Sequence, residues 1–185
     1  MVFVGIDPGQ QGAIAFITKK EEWIIDMPLL PERDIDAKAL YNIFEDYKDD
    51  DDIYIVIEKA QSMPGQSSVA MFNYGGGYYT ILAILKILDL PFEEVRSNKW
   101  KKEFGLSGLN ANKKKTSDGK KIKKTQAEKT AAQKQRKEMA VKTAMQMFPK
   151  LKNEFFVKTA RSEKIMDGRA EALLIAAYGK RKLGK

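Results

Sequence analysis

The stretch VFVGIDPGQQGAIAFIT, residues 2–18, sets the reading of this chain. Val2 to Ile6 is a short apolar, partly β-branched run, and Ala13 to Ile17 is another. Between them lie a carboxylate, Asp7, and a turn signal, Pro8-Gly9. Two apolar runs joined this way predict paired strands. The carboxylate where the first strand ends has two readings. It is a turn residue, using its side chain to cap the bend, or it is a functional group presented at the edge of a buried sheet.

Working outward, Trp23 to Met27 predicts a third strand, and the short links make the three an antiparallel meander. The segment IYIVIEKAQ, residues 53–61, is apolar until Glu58, as expected of a strand buried on both faces. Between these, Asp36 to Tyr47 has helical spacing, with Ala37, Leu40, Ile43 and Phe44 on one face and Asp34 or Asp36 as the cap. The acidic run DYKDDDD at 46–52 lacks the spacing of a calcium-binding EF-hand loop and is expected to face solvent. Ser67 to Leu88 predicts one long helix or two, interrupted at Gly75–Gly77. A short strand at Phe92 to Val95 and a short basic helix follow. Next comes a helix with Met139, Val141, Ala144, Met145 and Phe148 on its apolar face, stopped by Pro149. A last helix, starting near Asp167, buries Leu173, Leu174 and Ala177. The order implies an α/β fold, a mixed sheet with helices on it, and the length of 185 residues suits a single domain over 1–185.

The chain has no cysteine and no histidine, which excludes disulfides, thiol catalysis, histidine bases and Cys- or His-ligated metals. Carboxylate chemistry with a hard cation remains. The formal charge of +8 is concentrated: residues 111–137 hold ten Lys and one Arg against Asp118 and Glu128, a net of +9, while the remainder holds 22 basic and 23 acidic residues. A basic, flexible segment at about 108–135 on a nearly neutral globule points to a polyanion partner. With no signal peptide or membrane-spanning apolar run, the expectation is a soluble, cytoplasmic protein that makes no use of a membrane.

The acids share a pattern. Asp7 and Glu58 each end a strand, and Asp167 and Glu171 lie at i and i+4 on one face of the last helix. If the strands of Asp7 and Glu58 are neighbours, their carboxylates converge, and a helix packed there adds the other two. Such a cluster is stable when divalent cations occupy it, and two metals roughly 4 Å apart position water and stabilise a leaving oxygen in phosphodiester hydrolysis. The alternatives stay open: Glu58 as a structural ion pair, Asp167 as a helix N-cap, Glu171 as a surface residue.

The motifs GIDPG, IVIE and DGRAEALLIA, in that order, resemble the ribonuclease H-like superfamily and, within it, the RuvC Holliday-junction resolvases, especially the short bacteriophage versions. The likeness runs from Val2 to about Tyr178. It implies a ribonuclease H-like, mixed five-stranded sheet flanked by helices, and a homodimeric, Mg²⁺-dependent endonuclease, with Mn²⁺ as substitute, that nicks four-way (Holliday) and other branched DNA. Asp7 and Glu58 match the ligands on the first and central strands, and Asp167 and Glu171 stand for the two acids of the last helix. Their spacing of four, with Glu second, differs from the bacterial pattern of two aspartates three apart. The resemblance also implies a lysine at the scissile phosphate, for which Lys101, Lys134 and Lys137 are candidates. With Lys113, Lys114, Lys115, Lys120 and Lys121 they form the expected DNA-contacting set. The loop after Glu58, KAQSMPGQ, lacks the aromatic that bacterial enzymes stack at the junction, leaving Gln61 and Met63 as candidate wedges and implying a weaker sequence preference.

FNYGGGYYT, residues 72–80, has three readings: helix contact across a dimer, passage of DNA, or internal packing. Its tyrosines, Tyr74, Tyr78 and Tyr79, are expected in core or interface. Two rival functions remain: a ribonuclease H-like nuclease acting on hybrids or general branched DNA, and a non-catalytic DNA-binding protein.

Overall fold

The computed structural model describes residues 1–49, 52–61, 67–107, 125–158 and 162–184. The meander forms as the sequence predicts: β1 (Val2–Asp7), β2 (Ala13–Ile17) and β3 (Glu22–Asp26) pair antiparallel, with Asp7 opposite Ala13 and Ala13 opposite Asp26. α1 (Ala37–Glu45) follows, and of the two candidate caps Asp36 is used, its carboxylate accepting from the Ala39 N–H at 2.9 Å. It leads to β4 (Ile53–Glu58), which pairs parallel with β1, and α2 (Ser68–Ile87) leads to β5 (Phe92–Val95), parallel to β4. The result is a five-stranded mixed sheet in the order β3-β2-β1-β4-β5. α2 runs unbroken through its three glycines.

The chain continues as α3 (Ser97–Glu103), α4 (Gln126–Met147), a 3-10 helix (Pro149–Phe155), a hairpin of β6 (Phe156–Lys158) and β7 (Glu163–Ile165), and α5 (Asp167–Lys182). The basic segment divides. Residues 108–124, with Lys113, Lys114, Lys115, Lys120 and Lys121, lie outside the described residues, as does Met63; from Gln126 the chain is helical. A capping box starts α4, with Thr125 and Glu128 satisfying each other's backbone N–H groups. The sequence pattern marked only the apolar stretch from Met139 onward, because the first three turns of α4 are polar. The β6–β7 hairpin went unpredicted, since strands of three residues carry too little alternation to register.

Two cores clothe the sheet. On one face α1 and α2 pack against Val4, Ile6, Ile14, Phe16, Ile55 and Ile57. On the other, α3, α4 and α5 pack against Phe3, Ala13, Ala15, Ile17 and Val56. Covered on both sides, β1, β2 and β4 are apolar along their length, as burial on two faces requires. α5 lies close across β1 because that strand has a glycine there. A Cβ on Gly5 would sit 2.1 Å from the Ala172 carbonyl oxygen and 2.2 Å from the Ala176 nitrogen. Its small residues Ala170, Ala172, Ala176 and Ala177 are buried with it. Gly168 does the same at the helix start, against the Gln11 carbonyl oxygen at 2.0 Å. Arg169 locks the position, with its guanidinium donating to both oxygens of Asp26 at 2.6 Å and to the Glu154 carbonyl at 2.7 Å.

Candidate functional site

β1 and β4 run parallel in a register that pairs Gly5 with Val56 and Ile6 with Ile57. One step further, Asp7 and Glu58 leave the sheet side by side at its C-terminal edge. The turn reading of Asp7 holds. Its carboxylate accepts the Gly9 N–H, shaping the turn, and it also faces other acids. Burial raises its pKa well above the ordinary 3.8, and the charges of Glu171 and Glu58 raise it further, against Lys101 and the Gly9 N–H.

Glu58 is held by α3. The indole N–H of the fully buried Trp100 donates to Glu58 Oε2 at 2.6 Å, and Ser97 adds a hydrogen bond. Its pKa is raised chiefly by burial, opposed first by Lys101 and assisted by Glu171. Neighbouring Lys59 pairs with Glu94 on β5, at 3.5 Å, while Lys101 is the cation whose charge acts on Glu58. Glu171 descends from α5 and meets Lys101 at 2.9 Å. Lys101 also lies over the Trp100 ring, 4.8 Å from its centroid. Asp7, Glu58, Glu171 and Lys101 therefore form one electrostatic unit.

Asp167 stands one turn before Glu171. It is the first residue of α5, not its cap, and it pairs with Lys137 of α4 at 2.8 Å. It lines a small cleft with Gln10, Gln11, Arg33 and Lys164. Lys134 lies on the exposed face of α4, 3.9 Å from Glu138 and turned to a partner of its own helix. Gln61 is exposed just beyond the end of β4.

Two side chains at the site were missed from sequence. Trp100 is the one apolar residue in SNKWKK, and a tryptophan alone among lysines signals a buried anchor. Tyr74 shares a face of α2 with Tyr78, four residues on. The Tyr78 hydroxyl reaches Glu94 on β5, while Tyr74 feels Asp7, Glu58 and Glu171.

Oxygen donors from three acids with a single lysine between them suit a hard divalent cation. The shortage of positive charge is visible at Asp7, which is driven toward its neutral form. Among the described residues, no three acids are gathered as a ready coordination shell. Glu171 is turned to Lys101 and Glu58 to Trp100, and both contacts are made by side chains.

No family model matches the chain, and no curated protein sequence does. Among solved structures, it is similar to Thermus thermophilus RuvC, with a TM-score of 0.52 and 12% identity over 98% of this chain and 96% of that one. It is similar also to T. thermophilus RuvC in complex with a Holliday junction substrate, with a TM-score of 0.53, again at 12% identity over 98% and 96%. The likeness is one of fold: an α/β mixed sheet of five strands flanked by helices.

Proposed function

We propose that this protein is a metal-dependent endonuclease for branched DNA, four-way junctions foremost, working as a homodimer. The observation that supports it most is the placement of Asp7 and Glu58 on adjacent parallel strands with Glu171 beside them. Asp7, Glu58 and Glu171 would hold the divalent cation, Mg²⁺ or Mn²⁺, and Asp167, paired with Lys137, would support the first turn of α5 beside them. Such a cation, when bound, supplies an activated water and neutralises charge on the leaving oxygen. The protein's own residues do the rest. Trp100 fixes the Glu58 carboxylate, and Gly9 fixes that of Asp7. Lys101, partly exposed and already beside the acids, offers its ammonium to the entering phosphate. The basic segment and Lys134 on the exposed side of α4 would neutralise the DNA backbone, and the exposed Gln61 would contact the strand.

The homodimer rests on the outward face of α2. Val69, Phe72 and Tyr79 are 70%, 81% and 70% exposed, and Ile87 is 71% exposed. With Gly76 and Ala83 they make an uncharged stripe opposite the buried face. A helix apolar all round is normally covered. A Cβ on Gly75 or Gly76 would meet nothing within 4 Å, so packing within the chain does not require those two glycines, although Gly77 does need to avoid Ile35. Glycine in a helix interior costs about 1 kcal/mol relative to alanine, and close approach of a second α2 would offset it.

The test is a cleavage panel of duplex, flap, RNA–DNA hybrid and four-way DNA in Mg²⁺ and in Mn²⁺. Paired symmetric nicks in four-way DNA, abolished by Asp7→Asn and by Glu58→Gln with binding retained, support the proposal. Cleavage of hybrids instead would make it a ribonuclease H-like enzyme of another kind, and binding without cleavage would make it a non-catalytic DNA-binding protein.

A further inference from the structure

Asp7 and Glu58 leave the sheet between two helices on opposite faces. α5 brings Glu171 from one side, together with Trp100 and Lys101 of α3. From the other side comes α2, whose buried face carries Tyr78, Ile81 and Leu85. Tyr78 marks where α2 stands, because its hydroxyl reaches Glu94 at the end of β5, the strand next to Glu58. Tyr74 is one turn nearer the helix N-terminus on the same face. It is half-buried, and the charges that act on it are those of Asp7, Glu58 and Glu171. Its hydroxyl makes no hydrogen bond among the described residues. Beside it, the Cα of Gly75 has open space where a side chain would be.

We propose that Tyr74 is a substrate contact of the acid site, its hydroxyl donating to a non-bridging oxygen of the phosphate that enters between Asp7, Glu58 and Glu171. This rests on the endonuclease proposal and adds a residue to it. An anionic phosphate arriving among three carboxylates needs donors that face it. Lys101 is one, on the α5 side. Tyr74 supplies the other from the α2 side, as a phenol that is protonated at neutral pH. A donor that stays neutral adds direction to the phosphate without a counterion to release, so it sets position more than affinity.

The experiment compares wild type with Tyr74→Phe, which removes the hydroxyl and keeps the ring. Single-turnover cleavage of four-way DNA in Mg²⁺ is expected to fall about tenfold or more, the usual effect of losing a hydrogen bond to a charged group. Junction affinity in Ca²⁺ should change less than about threefold, with an unaltered dependence of log affinity on log salt. The melting temperature should stay that of wild type. Cleavage within twofold of wild type overturns the proposal, and so does a lower melting temperature that accounts for the lost activity. If wild type itself cuts no DNA in either metal, the endonuclease proposal falls and this inference with it, an outcome distinct from a Tyr74→Phe that behaves as wild type.

Discussion

Trp100 donates its indole N–H to Glu58 Oε2 at 2.6 Å while Lys101, the next residue, reaches Glu171 at 2.9 Å. One turn of α3 therefore touches an acid from the sheet and an acid from α5. The tryptophan is fully buried, so the contact holds α3 as firmly as it holds the carboxylate.

This makes Trp100 a reporter of the site. Mn²⁺ is expected to quench tryptophan emission in wild type and in Trp23→Phe, and to leave the remaining Trp23 emission of Trp100→Phe unchanged. Trp23 is stacked on Phe16 at 4.8 Å and packs in the core on the face of the sheet opposite to Trp100. Equal quenching in both variants would place the metal elsewhere. Trp100→Phe should also cost about 1–3 kcal/mol in denaturant unfolding, since it leaves a void and removes a donor from a buried carboxylate.

The acids predict a pH dependence with a definite sign. The folded-state pKa of Asp7 is raised above 3.8 and that of Glu58 above 4.5. The folded protein thus binds protons more tightly than the unfolded chain. Their contribution is present in full below the ordinary values and is lost as pH rises through the raised ones. Metal-free protein should lose stability from about pH 4 upward on account of these groups, and Asp7→Asn should flatten that slope and raise the neutral-pH melting temperature. Divalent cation reverses the trend, because it binds the deprotonated forms, so the Mn²⁺-induced rise in melting temperature should grow with pH and vanish in Asp7→Asn. Asp26 has the opposite sign. The Arg169 hydrogen bonds lower its pKa, so its share of stability is lost as pH falls below 3.8.

Gly5→Ala tests how closely α5 must lie on the sheet. A methyl 2.1 Å from the Ala172 carbonyl oxygen has no flexible side chain to displace. We expect destabilisation of about 3 kcal/mol or more, at the upper end for overpacking, read by urea unfolding. Gly76→Ala, whose Cβ meets nothing, should be neutral or stabilising in the monomer by up to about 1 kcal/mol. Equal effects of the two would contradict the packing described.

Phe72→Glu and Tyr79→Glu address the dimer. Both side chains are largely exposed, so each change should alter the stability of a single copy by less than about 0.5 kcal/mol. Light scattering should find wild type at twice the chain mass and the double variant at one. On four-way DNA the variant should nick one strand at a time. A wild type that stays at one chain mass at high concentration would remove the homodimer from the proposal.

The sequence by itself determined a great deal of this protein. Strand β1 and its carboxylate, the meander, the apolar β4 ending at Glu58, and α5 starting at Asp167 follow from local chemistry: apolar runs ended by turn residues, and helical periodicity. The absence of cysteine and histidine left carboxylates as the available chemistry. Only the tertiary structure decided which acids meet. Asp167 and Glu171 look equivalent on one helix face, but the register of α5 on β1, set by Gly5 and Gly168, turns Glu171 toward Lys101 and Asp7 and gives Asp167 to Lys137. Along the chain Tyr74 reads as a core or interface aromatic, and Trp100 stands among lysines with no role assigned. Their link to the acids depends on α3 and α2 standing on opposite faces of the sheet at its C-terminal edge, a proximity created by the packing of segments far apart in sequence.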